Sequence, residues 1–369
     1  MLNLHPYCHQ NCPGCSHRQL TKDESEIQKQ HWIESKMKDI VEVINPIQAV
    51  IEEKRWAYRS KVQLTANYSE QGWDFGLIRR DVFEPTPQCP IQAPSVNSSI
   101  ALLKEILPEY RVFPLHFYIQ TGTIATLVLK TLKEPNISVF SEDVKEKFRQ
   151  NGLSALWIHL NPSAGRRMFE KTSWINLFGE RTARDFGKLL YGATSFQQLI
   201  PELYVKSLQE AEQFLNASSD SVVADLYCGI GHSMELWARQ EAAVIGIETG
   251  KEAVECALQN VPSAKILRGT CELRLPQLRV WSDLLENKDK QRLLYVNPPR
   301  TGIEPKVLDW IINEYKPIRV AYLSCSMGTL RRDLLVFKET GYKVLSVSPY
   351  DFFPQTYHVE SLALLEISQ

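Results

Sequence analysis

Val222-Val223-Ala224-Asp225-Leu226-Tyr227-Cys228-Gly229-Ile230-Gly231 decides the fold. An apolar run reaching Tyr227 breaks into two closely spaced glycines, and Met234 to Gln240 has helical spacing. A short apolar run ended by glycine reads as a buried strand. The glycines let the backbone turn tightly and approach a ligand closely. Further on, strands Val244 to Ile247, Lys265 to Leu267, Leu293 to Val296 and Val320 to Ser324 alternate with helices Lys251 to Gln259 and Pro305 to Glu314. That alternation predicts a parallel sheet wrapped on both faces by helices. A helix from Glu202 to Leu215 leads into it, and Leu362 to Ile367 is a final apolar strand.

The first half differs in character. Glu24 to Val43 is charged and helical in spacing. Arg59 to Thr65 alternates like a half-buried strand, and Trp73 to Ile78 and Phe117 to Leu129 read as strands broken by Gly76 and Gly122. Val144 to Asn151 is a short helix. The chain therefore divides near residue 190 into an α+β domain, residues 1–190, and a Rossmann-like α/β domain, residues 191–369.

The 369 residues carry a net charge of -1, with 44% hydrophobic and 23% charged residues. This is the balance of a soluble globular protein, and it excludes steering of the whole molecule toward a polyanion. Basic clusters are local: Lys54-Arg55 with Arg59 and Lys61, Arg79-Arg80, Arg166-Arg167 and Arg331-Arg332. Together they suit a phosphate-tracking face, and singly each suits a solvated one. No apolar run is long enough to cross a bilayer and no secretory signal is visible, so the cytoplasm is expected.

The chemistry gathers at predicted strand ends. Glu248 ends the second strand about 20 residues after the first, the offset of an acid that grips ribose hydroxyls. Met234 stands where a dinucleotide fingerprint wants a third glycine, and Asp225 in the turn suits a cationic amino group better than a phosphate. Both features favour S-adenosylmethionine over NAD. Asn297-Pro298-Pro299-Arg300 closes another strand, with Asn297 able to bond a planar amide-like edge such as a nucleobase. Cys325 ends Ala321-Tyr322-Leu323-Ser324, and the helix Thr329 to Glu339 turns its positive end toward the thiol, which favours thiolate. Glu360, before the final strand, is placed to serve as a general base.

Asp225 to Gly231, Asn297 to Arg300, Ser324-Cys325 with Thr329 to Asp333, and Phe353 to Glu360 resemble the RNA uracil-5-methyltransferase family in content and order. The resemblance implies a class I methyltransferase domain that moves a methyl group from S-adenosylmethionine to carbon 5 of a uridine. It implies Cys325 as nucleophile, Glu360 as base, and Gln197, Tyr227, Glu248 and Asn297 as cofactor contacts. Asn before Pro-Pro and the chain length point to the short 23S rRNA enzymes, with tRNA enzymes the alternative. Ser326, where the family usually has Asn, and His232-Ser233-Met234 depart from its pattern.

Cys8, Cys12 and Cys15 lie close together, with Cys89 remote in Pro87-Gln88-Cys89-Pro90. Four thiols so spaced suit an iron–sulfur cluster or zinc. The resemblance implies a 4Fe–4S cluster on these four, although the family usually places more residues between the first two. The Cys-x3-Cys-x2-Cys pattern also occurs in radical S-adenosylmethionine enzymes, but a fourth cysteine closes the cluster and no barrel follows. Cys256 and Cys271 read as core. RNA is the expected partner, with no membrane and no obligate protein partner. Two rivals remain. An adenine amino-methyltransferase also uses Asn-Pro-Pro but prefers an aromatic where Arg300 stands. A cluster-dependent RNA-binding or redox-sensing protein would retain a dead site.

Overall fold

A computed structural model describes residues 5–163, 168–169, 173–284 and 287–368. Arg166-Arg167, read above as a basic pair, lies outside the described residues. The chain forms two compact units. One gathers residues up to 19, 51–185 and 191–199; the other gathers residues 20–50, 186–190 and 200 onward.

The first unit is built on a seven-stranded sheet in the order Val82–Pro85, Gly72–Arg79, Lys61–Ser69, Leu115–Thr121, Ile124–Leu129, Ala155–Leu160, Trp174–Phe178. Neighbours are antiparallel except Ile124–Leu129 and Ala155–Leu160, which run parallel. Helix Glu142–Gln150 lies between them in sequence, as a parallel crossover requires. Trp73, Phe75, Tyr118 and Phe148 fill the core, with helix Pro94–Ile106 contributing Val96 and Leu103. That helix, rich in Ser and Asn at its start, has no counterpart in the sequence reading.

The second unit carries an eight-stranded sheet ordered Val43–Ile44, Tyr342–Tyr350, Glu360–Ile367, Arg319–Ser324, Gln291–Val296, Ser221–Leu226, Ala243–Glu248, Lys265–Arg268. Ser221–Leu226 is buried at every position, the pattern of a strand covered on both faces. The sheet is not wholly parallel, as the sequence suggested. Glu360–Ile367 runs antiparallel to both its neighbours. The loop 351–359 is too short for the helical crossover a parallel return needs, so a hairpin forms.

The division is also not a single cut near residue 190. Helix Lys22–Met37 and strand Val43–Ile44 belong to the second unit. Ile33, Met37 and Ile40 bury into its core, and Glu42 and Asn45 N–H groups bond the Val344 and Val347 carbonyls. The helical spacing of this charged segment was legible, but not the sheet it covers.

Candidate active site

Three parallel strands deliver their carboxyl ends side by side, because Leu226 pairs with Val296 on one flank and Ile247 on the other. Tyr227, Asn297 and Glu248 therefore sit together at the crevice where open α/β sheets bind ligands. The Asn297 N–H bonds the Leu226 carbonyl at 3.3 Å, tying two strand ends together. Glu248 accepts from the Gly229 N–H at 3.1 Å and the Gly250 N–H at 2.6 Å, so one carboxylate gathers two turns. Tyr227 adopts φ +64° and donates its hydroxyl to the Glu304 carboxylate.

Asp225 does not face this crevice. Its side chain is fully buried beneath helix His232–Arg239 and accepts from Trp237 Nε1 at 2.9 Å. Burial pushes its carboxyl up to about 7, against hydrogen bonds from Ser233 and Trp237. Asp225 thus braces the turn rather than holding a cationic amino group, as the sequence suggested.

Cys325 and Glu360 meet through sheet register. Ser324 pairs with Ser361 in the antiparallel ladder, and Tyr350 with Glu360. One step beyond Ser324 on one strand is Cys325; one step before Ser361 on the other is Glu360. Glu360 is 3% exposed, and burial raises its carboxyl to about 8 even though Arg300 pulls it down. Cys325 is half-buried, and its thiol is also raised, by burial first and by Glu360 second, with Arg300 acting against both. Burial and the neighbouring Glu360 together outweigh Arg300 at this sulfur.

Arg300 is the residue the sequence reading undervalued. Its guanidinium acts on Cys325, Glu360 and His358 together. It favours the charged forms of the first two. Its loop is stitched to the helix after Cys325. Thr329 Oγ1 donates to the Arg300 carbonyl, Arg332 to the Thr301 and Ile303 carbonyls, and the Ile303 N–H to Asp333 at 3.1 Å. Gly302, at φ +77°, leaves no room for a side chain, since a Cβ there would lie 2.8 Å from Asp333 Oδ2. The Thr329-to-Asp333 motif was visible in sequence; its work as a clamp on the opposite loop was not.

Gln197 belongs to the first unit. There Lys61 donates to the Ser195 carbonyl at 3.0 Å and stands 4.9 Å over the exposed Phe196 ring. The four cysteines Cys8, Cys12, Cys15 and Cys89 also lie in this unit, all half-buried. Burial raises the Cys12, Cys15 and Cys89 thiols, Cys15 to about 12, and the neighbouring cysteines raise them further. Among the described residues, no three His, Cys, Asp or Glu side chains are grouped so as to hold a metal ion. Of the basic clusters, Arg55 is buried, Arg331 pairs with Asp39 at 2.6 Å and Arg332 holds the Thr301–Ile303 loop, whereas Arg79 and Arg80 are exposed. No helix among the described residues is long and apolar enough to cross a membrane.

Residues 124–368 match the family model described as tRNA (Uracil-5-)-methyltransferase. An uncharacterized RNA methyltransferase of Bacillus cereus is 29% identical over 389 residues, covering 96% of this chain and 81% of the relative. One of Enterococcus faecalis is 29% identical over 84% of this chain and 71% of its own. The crystal structure of Pyrococcus abyssi tRNA (uracil-54, C5)-methyltransferase in complex with S-adenosyl-L-homocysteine shares the fold. Its TM-score is 0.69 at 20% identity, over 96% of this chain and 86% of that one.

Proposed function

This chain belongs to the RNA uracil-5-methyltransferase family, whose members are S-adenosylmethionine-dependent RNA-modifying enzymes, and on that premise we propose that it methylates a uridine of 23S rRNA through a covalent Cys325 adduct. The observation that carries the mechanism is the register that sets Cys325 beside Glu360, with Arg300 facing both.

Carbon 5 of uracil is a poor nucleophile. The Cys325 thiolate adds to carbon 6, and the ring electron pair moves toward the carbonyl oxygen as an enolate. S-adenosylmethionine supplies a methyl group on a sulfonium, which carbon 5 can attack. Glu360 then removes the carbon-5 proton. The electrons of that C–H bond re-form the ring double bond and the carbon–sulfur bond breaks, returning the thiolate. Tyr227, Glu248 and Asn297 line the crevice that would hold the cofactor, with Glu248 suited to ribose hydroxyls. The uridine must leave its stack to reach Cys325, which is cheapest in a single-stranded loop.

Asn297 before Pro298-Pro299 supports ribosomal RNA, since the resemblance associates that Asn with the short ribosomal enzymes. The family description supports tRNA as the second reading. For the first unit we propose a 4Fe–4S cluster on Cys8, Cys12, Cys15 and Cys89 and contact with RNA. Burial and neighbouring cysteines raise the Cys12, Cys15 and Cys89 thiols, which are stable as thiolates only with cations among them.

Glu360→Gln tests the reaction. It should leave RNA bonded to Cys325 on a denaturing gel, because addition and transfer proceed while elimination stalls. Absence of any adduct, with product also absent, would sink the covalent route. Mapping the 5-methyluridine lost from a deletion strain decides between 23S rRNA and tRNA.

A further inference from the structure

We infer that Lys29 is a positioning residue for Glu360, acting through Asp351; this rests on the catalytic roles proposed above. Lys29 projects from helix Lys22–Met37, is 1% exposed, and meets the Asp351 carboxylate at 2.6 Å, with Asp351 itself 2% exposed. Its ammonium also donates to the Phe353 carbonyl at 3.2 Å. Ser25, one turn earlier, donates to the Pro354 carbonyl at 3.5 Å. The Asp351 N–H bonds the Gln48 carbonyl at 2.8 Å, from the segment that follows the same helix. All these contacts fall on the loop 351–359, which leads directly into Glu360.

Glu360 needs such support. Its Oε2 is buried and has no hydrogen-bond partner among the described residues. With that oxygen unbonded, the aim of the carboxylate depends on the backbone that carries it. That backbone is fixed by the ladder on one side and by this loop on the other. A buried ion pair adds little net stability over apolar groups of the same volume, because desolvation of both charges offsets their attraction. What it adds here is a fixed position for the loop.

The other end of the helix reaches the support of the nucleophile. Arg331, in helix Met327–Glu339, donates to both Asp39 carboxylate oxygens at 2.6 Å and to the Lys36 carbonyl. The segment from Lys22 to Asp39 therefore ties the loop before the base to the helix after the thiol.

The base acts last, so a base out of place slows elimination and lets the covalent enzyme–RNA complex build up. With total RNA from a deletion strain as substrate, Lys29→Met should raise the complex seen on denaturing gels by about tenfold over wild type. Single-turnover methyl incorporation should change by less than about threefold, since addition and transfer do not use Glu360. Lys29→Arg, which keeps the charge, should restore wild-type levels. Lys29→Met with Asp351→Leu strands no buried carboxylate, so it folds, and it should accumulate complex as well. Proportional loss of complex and product in Lys29→Met, or wild-type levels of complex in the double variant, overturns the proposal. A wild-type enzyme that methylates no uridine overturns the reading of the site itself, a separate and recognisable failure.

Discussion

The Asp333 carboxylate lies 2.7 Å from the Tyr322 hydroxyl, which donates to it from the strand that ends at Cys325. The same carboxylate accepts from the Ile303 N–H and from Arg332. One fully buried acid thus holds the strand of the nucleophile, the loop of Arg300 and the helix between them. Asp333→Ala removes the acceptor of the buried Tyr322 hydroxyl and the buried Ile303 N–H, while Arg332, half exposed, keeps the Thr301 and Ile303 carbonyls. Each buried donor so stranded costs about 1–3 kcal/mol, so a loss of about 3 kcal/mol or more is expected by chemical denaturation. Asp333→Asn keeps the shape and part of the acceptor capacity and should lose less. Methyl transfer should fall in both, since Arg300 is no longer held. Equal stability of Asp333→Ala and wild type would show that this clamp is not needed.

Activity should depend on pH through the base. Burial holds Glu360 protonated up to about 8. A base must be ionised, and the thiol, also raised, must ionise as well. The steady-state rate of release of methylated RNA, which includes the elimination step, should therefore climb from about pH 6.5 to about pH 9. Arg300→Met removes the cation that favours both charged forms, so its profile should move to higher pH and its rate at neutral pH fall by about tenfold or more. Arg300→Lys should lie between. A flat profile over this window would mean that neither group limits the reaction as free enzyme.

The same burial implies a stability cost at the site. In the folded protein Glu360 keeps its proton up to about 8, whereas its ordinary value is 4.5. Between those values the native state binds more protons than the unfolded chain, so stability falls as pH rises through the window. Glu360→Gln carries no such proton. Its melting temperature should exceed that of wild type at high pH, and the two should converge toward pH 4.5. Thermal scans across pH read this directly. A gap that widens on acidification would reverse the assigned direction.

How far the sequence reached depended on distance along the chain. The Val222-to-Gly231 turn, Glu248 and Asn297 were legible because strand, turn and ligand-facing residue are neighbours in sequence. Cys325 and Glu360 could be named but not placed together, since their meeting depends on a reversed last strand. That reversal is set by the short 351–359 loop, not by the apolar pattern of Leu362 to Ile367. Helix Lys22–Met37 showed helical spacing in a charged segment but could not show which sheet it covers. Asp225 looked like a ligand contact because it sits in the turn, and only the position of Trp237 shows that it points inward. Arg300 was noticed for what it is not, an aromatic platform, because its partners lie 25 and 60 residues away in Cys325 and Glu360.

The cysteines of the first unit offer a test independent of RNA. Thiols raised by burial, Cys15 to about 12, are protonated and unreactive near neutral pH unless iron or another cation holds them. Protein purified without oxygen should be brown, absorb broadly in the visible and carry about four irons and four sulfides. Cys15→Ser removes one of the four proposed ligands and should lower iron content by most of its value. Cys256→Ser, in the core of the second unit, should leave iron content unchanged. Colourless protein with one zinc per chain would replace the cluster with a mononuclear site. Protein with neither metal, folded and active, would leave the four thiols as packing alone.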